Sequence, residues 1–264
     1  MIDVICDIDG VLYRGDVAVP GAANGLRSLN HAGARITYVT NNSTRSPTRA
    51  ASKIEAVMGV ATDVSQVITS SMAAISMLTL DDHPAMVVGE SGVIDALAEA
   101  GVAMTNDPGE ARSVVVGMDK RITYDVIASA SAAIRSGARF LATNTDATFP
   151  TPTGFLPGAG SLIAAIATAS GREPEVAGKP HQAIRDLIRS HGVEEAWVVG
   201  DRIETDIALA TAEPLWRSIL VLTGVSTIDD DISSADHVVA DFESAVALVL
   251  GAPQHKYDDV STDR

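Results

Sequence analysis

The chain is expected to fold as an α/β protein, a Rossmann-like doubly wound parallel sheet into which a second α/β unit is inserted. Three observations carry this expectation. Short apolar runs alternate with helix-period segments along most of the sequence. Several of those runs end in glycine or small polar residues, as strands do where an open parallel sheet meets solvent. The alternation also falls into two outer stretches and a middle block with its own β/α periodicity. At 264 residues with 46% apolar composition, the chain can bury the cores of two modest domains or of one large one.

The first stretch opens with a strand at Asp3–Asp7, followed by a helix near 21–32 with Gly33 placed as its C-terminal glycine. A strand at Arg35–Thr40 follows, then a helix near Pro47–Met58, a strand at Gln66–Thr69 and a short helix near Ser71–Leu78. The middle block reads as strand Ala85–Val88, helix Ser91–Ala100, strand Ser113–Gly117, helix Tyr124–Ser136, strand Arg139–Ala142 and helix Gly160–Ser170. The outer pattern then resumes with a helix near His181–His191 and a strand at Ala196–Gly200. A helix from about Thr205, strands Ser218–Leu222 and His237–Val239, and helix Asp241–Leu250 complete it. The polar tail from Gln254 to Arg264 is expected to fray. The domain expectation is therefore a discontinuous core of residues 1–80 and 177–264, with 81–176 inserted.

Charge narrows the partners. The net charge of −15 argues against a nucleic acid polymer or an anionic membrane, each of which needs a basic face. Four lysines against 23 aspartates read as a surface tuned for solubility, and one adapted to a salty cytoplasm would gain stability with salt. The single cysteine, Cys6, excludes an internal disulfide and lies in an apolar run, where it reads as a small buried hydrophobe. No basic-then-apolar leader opens the chain and no run of about 18 apolar residues occurs, so a cytoplasmic location is expected.

The chemistry concentrates at four strand ends. Asp7-Ile8-Asp9-Gly10 puts two acids on one rim, where a hard cation and a phosphate could meet. Thr40-Asn41-Asn42-Ser43 offers a hydroxyl, amides and backbone N–H groups to phosphate oxygens, although alone it would read as a turn and helix cap. Gly178-Lys179-Pro180 brings a lysine to a helix start, and a solvated surface lysine is the ordinary alternative. Gly200-Asp201 to Asp206 places two carboxylates across a strand-to-helix turn, where Asp206 could serve only the helix dipole. Four such pieces on one rim are far less expected by chance than any one.

Together, Asp7-Ile8-Asp9-Gly10-Val11, Thr40-Asn41-Asn42, Gly178-Lys179-Pro180 and Gly200-Asp201…Asp206 resemble the four motifs of the haloacid dehalogenase (HAD) superfamily of phosphatases. Gly137-Ala138-Arg139-Phe140, Ala142-Thr143-Asn144-Thr145-Asp146 and Leu156-Pro157-Gly158-Ala159-Gly160 extend the resemblance to the NagD-like, or p-nitrophenylphosphatase-like, subfamily. The gap between Asp9 and Thr40 is too short for a domain, whereas the long one between Thr40 and Lys179 holds the middle block, which corresponds to that subfamily's large α/β cap. Leu12–Pro20 would be a mobile flap beneath it.

The resemblance implies a Mg²⁺-dependent phosphatase acting on small phosphate monoesters through an aspartyl-phosphate. It assigns Asp7 as nucleophile and Asp9 as general acid and base. The ligands of Mg²⁺ would be the Asp7 carboxylate, the Asp9 carbonyl and the Asp201 carboxylate, with Asp206 acting through water or by orienting Asp201 or Lys179. Thr40, Asn41 and Lys179 would bind phosphoryl oxygens, and Asn144 and Asp146 could read substrate from the cap. The partner would be a small phosphorylated metabolite, of the phosphoglycolate, glycerol phosphate, nucleoside monophosphate, pyridoxal phosphate, sugar phosphate or aryl phosphate kind. Caps of this type often mediate homodimers. The alternatives are a dehalogenase, which needs neither Asp9 nor Asp201, a phospho-receiver module, which would lack the cap, and a ligand-binding protein that kept the fold and lost turnover. The acidic mean field requires that Mg²⁺ and Lys179 reverse the sign locally for an anionic substrate.

Overall fold

A computed structural model describes residues 1–151 and 154–251; the tail expected to fray lies outside the described residues. Two parallel sheets organise the molecule. The larger begins with β1 (Asp3–Cys6), and a small antiparallel hairpin, β2 (Tyr13–Arg14) and β3 (Val17–Ala18), follows in the segment expected to be a flap. Then come α1 (Ala22–His31), β4 (Arg35–Thr40), α2 (Pro47–Met58), β5 (Val67–Thr69) and α3 (Ser70–Ser76). Sequence dictates these ends directly. α1 stops before Gly33, which takes φ 69°, and α2 starts with Ser46 accepting from the Arg49 N–H, with proline in its first turn.

The second sheet contains β6 (Ala85–Val88), β7 (Ser113–Val116) and β8 (Arg139–Ala142), separated by α4 (Ser91–Glu99) and α5 (Tyr124–Arg135). An antiparallel hairpin, β9 (Thr148–Thr151) and β10 (Gly154–Pro157), precedes α6 (Ala159–Ser170), and β11 (Glu175–Val176) closes this sheet in the order β11-β8-β7-β6, all parallel. The chain returns to the first sheet through α7 (Gln182–Ser190), β12 (Ala196–Gly200), a π-helical turn at Ile203–Ile207 and the short α8 (Ala208–Thr211). β13 (Trp216–Val221), β14 (His237–Val239) and α9 (Phe242–Val249) complete it. The helix expected from about Thr205 is thus a wide turn running into one short α-turn.

The six-stranded order is β14-β13-β12-β1-β4-β5, and every pair is parallel. Both faces are covered, so successive strand residues feed opposite cores. Val4 and Cys6 join the α1, α2 and α9 side, while Ile5 joins the α3, α7 and α8 side. That second core runs on without a break into the inserted sheet, taking in Ala85, Val93, Leu97, Val115 and Leu141, because α3 packs against both α7 and α4. A third core, between the outer face of the inserted sheet and α5 and α6, contains Val114, Val116, Phe140, Ile163 and Ile166. Strand order reverses direction at β1, between β12 and β4, the switch point at which open parallel sheets hold their sites. Among the described residues, no helix is long and apolar enough to cross a membrane.

Candidate active site

Asp7 is the first residue past β1, and its N–H is held by the Val199 carbonyl at 2.9 Å. Strand alternation turns Ile8 into the core and returns Asp9 to the rim, where Asp9 Oδ2 accepts from Asn42 Nδ2 at 3.2 Å. Gly10 follows with φ 95°, and a Cβ there would collide with the Asp201 carboxylate. This glycine both turns the chain and lets the two strand ends approach.

Lys179 is buried at the centre of the site. Its ammonium donates to Asp7, to Asp206 Oδ1 at 2.6 Å and to the Val39 carbonyl at 3.0 Å, which uses all three of its protons. Burial alone pulls this lysine down, but the charges of Asp206 and Asp7 outweigh it and hold its pKa above the usual value. Asp201, buried beyond β12, accepts from the Val225 N–H at 2.7 Å. Asp206 Oδ2 accepts from the Arg202 N–H at 3.1 Å, so the π-helical turn is what aims Asp206 back at Lys179.

Carboxylate oxygens of Asp7, Asp201 and Asp206 all lie within 4.8 Å of one another. One lysine cannot neutralise three buried acids. Burial raises Asp7 well above the usual carboxylate range; Lys179 opposes this, and Asp206 and Asp201 add to it. Burial, with the charge of Asp206 beside it, pushes Asp201 up to about 7. These hard oxygen donors, in excess of positive charge, fit a divalent cation.

The Thr40 hydroxyl accepts from the Asn42 N–H at 3.0 Å, which leaves its own proton to donate. Asn41 is more occupied than its sequence position foretells. Its Oδ1 accepts from the Lys179 N–H at 2.8 Å, and its Nδ2 donates to the Lys179 carbonyl at 3.3 Å and to Asp146 at 3.2 Å. Asn144 is buried and donates to the Asn41 carbonyl at 2.7 Å. Burial raises Asp146, while Arg202, whose Nη1 is 3.6 Å away, and Lys179 lower it. Asn144 and Asp146 therefore join the inserted unit to the Thr40–Asn41 turn.

All nine residues singled out in the sequence, from Asp7 to Asp206, line one cavity of about 510 Å³. Three contributors have roles that the sequence does not assign: Asn42, which holds Asp9; Arg202, which reaches Asp146 and the Thr148 carbonyl; and Ser43, whose Oγ accepts from the Met118 N–H at 3.0 Å. Asn42 and Ser43 belong to the polar stretch after β4, and Arg202 follows Asp201 directly, so that placement is the signal available in the sequence. The acidic run Asp229-Asp230-Asp231 is an exposed loop in which Asp230 and Asp231 bind Thr227 and Ser233.

The family model described as haloacid dehalogenase-like hydrolase matches residues 4–103, and a second, HAD-hydrolase-like, matches residues 176–245. An acid sugar phosphatase of Staphylococcus epidermidis is 34% identical over 235 residues, covering 86% of this chain and 88% of that protein. This chain belongs to the HAD-like hydrolases. Within them it is a phosphatase of the NagD-like kind. The structure of NagD from Escherichia coli superposes with a TM-score of 0.81 at 34% identity, covering 92% of this chain and 98% of NagD. A glycerol phosphate phosphatase from Mycobacterium tuberculosis, solved in complex with magnesium, gives a TM-score of 0.83 at 32% identity, covering 96% and 79%. The HAD core of this chain is its six-stranded sheet, and the four-stranded sheet stands where NagD-like proteins carry a cap.

Proposed function

We propose that this HAD phosphatase hydrolyses small phosphate monoesters in a Mg²⁺-dependent reaction with Asp7 as nucleophile. The observation that carries the reading is the buried Lys179 ammonium shared between Asp7 and Asp206 at the switch point of the sheet, with Asp9 held beside it by Asn42. A phosphoryl group brought to Asp7 meets the positive charge of Lys179 and the free proton of Thr40, both already fixed by the fold, where charge develops. Asn41 positions Lys179 through both ends of its amide.

Asp7 Oδ attacks phosphorus and the ester P–O bond breaks. The leaving oxygen takes the proton of Asp9, giving an alcohol and an aspartyl-phosphate. Asp9, now ionised, takes a proton from water as that water attacks phosphorus. The P–O bond to Asp7 then breaks, releasing inorganic phosphate and restoring both acids. Asp7 and Asp201 would hold the cation, with Asp206 at the third corner of the carboxylate cluster and the Asp9 carbonyl as the ligand the family resemblance adds. When bound, Mg²⁺ supplies positive charge that offsets the repulsion between the Asp7 carboxylate and the phosphate. The inserted unit closes the cleft with Asn144, Asp146 and Phe149 at its edge, which supports a cap of residues 81–176.

The test is phosphate release from a panel of small esters with Mg²⁺ and with chelator, using Asp7→Asn as the blank. Release that needs Mg²⁺ and disappears in the variant is the expected result. A variant as fast as wild type would remove Asp7 from the reaction.

A further inference from the structure

The cleft has a second electrostatic centre, away from the reacting groups. Three of the four lysines in this chain of net charge −15 line it: Lys53, Lys120 and Lys179. Lys179 is committed to Asp7 and Asp206, and Lys53 to Asp16 at 3.1 Å. Lys120 is different. Its ammonium stands 5.5 Å from the Phe149 ring centre and has no carboxylate within ion-pair distance among the described residues.

Arg45 and Arg49 line the same cavity from the loop before α2 and from the first turns of α2. Arg49 Nη1 donates to Ser91 Oγ at 3.2 Å, and neither arginine has an acid within ion-pair distance among the described residues. The acids on this wall are Asp16, taken by Lys53, and Glu90, which accepts from the Lys120 N–H at 3.4 Å. Three cations, from both sides of the seam, are left without an acid in the cavity that Asp7 and Lys179 also line.

This wall is built rather than loose. The Gly92 N–H donates to the Thr44 carbonyl at 3.3 Å, and the Met118 N–H to Ser43 Oγ at 3.0 Å. A Cβ on Gly92 would stand 2.5 Å from the Arg45 nitrogen and from the Ser43 carbonyl oxygen. The inserted unit therefore clamps the loop that carries Arg45, and the main chain on both sides of the seam is in place before any substrate arrives.

We infer that this wall receives a second anionic group, a carboxylate or a second phosphate, on the leaving part of the substrate. The inference rests on the phosphatase reading and narrows it. An ester with only hydroxyls beyond the scissile bond leaves Arg45, Arg49 and Lys120 unanswered, whereas a second anion gains charge-assisted hydrogen bonds from them.

The experiment compares kcat/KM within two matched pairs: 3-phosphoglycerate against glycerol 3-phosphate, and propane-1,3-diol bisphosphate against its monophosphate. At least one anion-bearing member should exceed its partner by about tenfold or more, the scale of one charge-assisted hydrogen bond. Which pair does so tells carboxylate from phosphate. In Arg49→Gln and Lys120→Gln that ratio should collapse toward one, mainly through KM. Ratios near one in wild type, or ratios that survive both substitutions, overturn the inference, while p-nitrophenyl phosphate turnover in the same preparation upholds the phosphatase reading. If p-nitrophenyl phosphate is not cleaved, that reading falls, and calorimetry of 3-phosphonopropionate against propylphosphonate decides this one alone. Tighter binding of the carboxylate compound, lost in Arg49→Gln, supports it, and equal binding overturns it.

Discussion

Asp206 Oδ1 lies 2.6 Å from the Lys179 ammonium, and both side chains are only 3% exposed. Asp206 also binds the Arg202 N–H, so it joins the lysine of one motif to the main chain of another. Removing one partner of a buried pair costs about 3–5 kcal/mol, because the other charge stays behind. Asp7 remains as a second partner for Lys179, which puts Asp206→Asn at about 3 kcal/mol. Urea unfolding should show that loss, and phosphate release should fall with it, since Lys179 would lean toward Asp7 alone. A variant as stable as wild type would mean that the pair contributes nothing net.

Asn42 Nδ2 donates to Asp9 Oδ2 at 3.2 Å, from a residue whose own Oδ1 is engaged by the Thr44 hydroxyl and N–H. The amide is locked, and it locks the proposed acid. Asn42→Ala should lower kcat by about tenfold or more, a fraction of the ~10²–10⁴ that positioned acid–base catalysis supplies. KM should hardly move, since Asp9 acts on the leaving oxygen. Steady-state kinetics on p-nitrophenyl phosphate, whose leaving group needs little protonation, should show a smaller loss than an alkyl ester.

Gly92 approaches the Ser43–Arg45 main chain so closely that any side chain must displace it. Its φ lies outside the left-handed region, so the demand is for space alone. Gly92→Ala should cost about 1–3 kcal/mol, as overpacking does. Gly101→Ala is the instructive contrast. It has open space around it but φ 70°, so its cost comes from backbone strain and should leave KM alone. KM for the preferred ester should rise only in Gly92→Ala, where Arg45 is moved.

Much of this was legible in sequence because strands buried on both faces are short apolar runs, and Val4, Ile5 and Cys6 or Val198 and Val199 read no other way. The Asp7, Thr40 and Asp201 strand ends followed from the same pattern, whereas Lys179 was legible only from its place at a helix start, its two-residue strand β11 being too short to read. The hairpins β2–β3 and β9–β10 did not follow from the pattern, since β3 and β10 are exposed and so lack the buried apolar run that marks equally short strands such as β1 and β5. Nor could the pattern show that Asn144 and Asp146 reach Asn41, contacts between residues 103 and 105 apart. The π-helical turn escaped because Ile203–Ile207 has the composition of an ordinary helix start, and its width is set by Asp206 turning back to Lys179.

Burial, with the charge of Asp206, pushes Asp201 up to about 7, whereas an unfolded aspartate titrates near ~4. Between those values the folded protein keeps a proton that the unfolded chain has lost. The stability from this proton is therefore complete below about pH 4 and is lost as pH rises through about 7. Asp82 and Asp236 run the opposite way. Both are held low despite some burial, Asp82 by the Thr79 N–H and hydroxyl and by Arg139, Asp236 by the Ser218 N–H and hydroxyl. Their contribution is present above the unfolded value and lost as pH falls through the folded one, so a bare pH–stability curve mixes the two signs. Subtraction separates them. With chelator present, the stability of wild type minus that of Asp201→Asn should decline from about pH 4 to pH 8, the variant becoming the more stable protein at the alkaline end. Added Mg²⁺ should restore wild type most at pH 8, where the carboxylates need shed no proton to bind it, and should do little for the variant. Urea melts across that range read both effects. A difference that stays flat with pH would mean that Asp201 is ionised throughout and that the cation, when it binds, displaces no proton there.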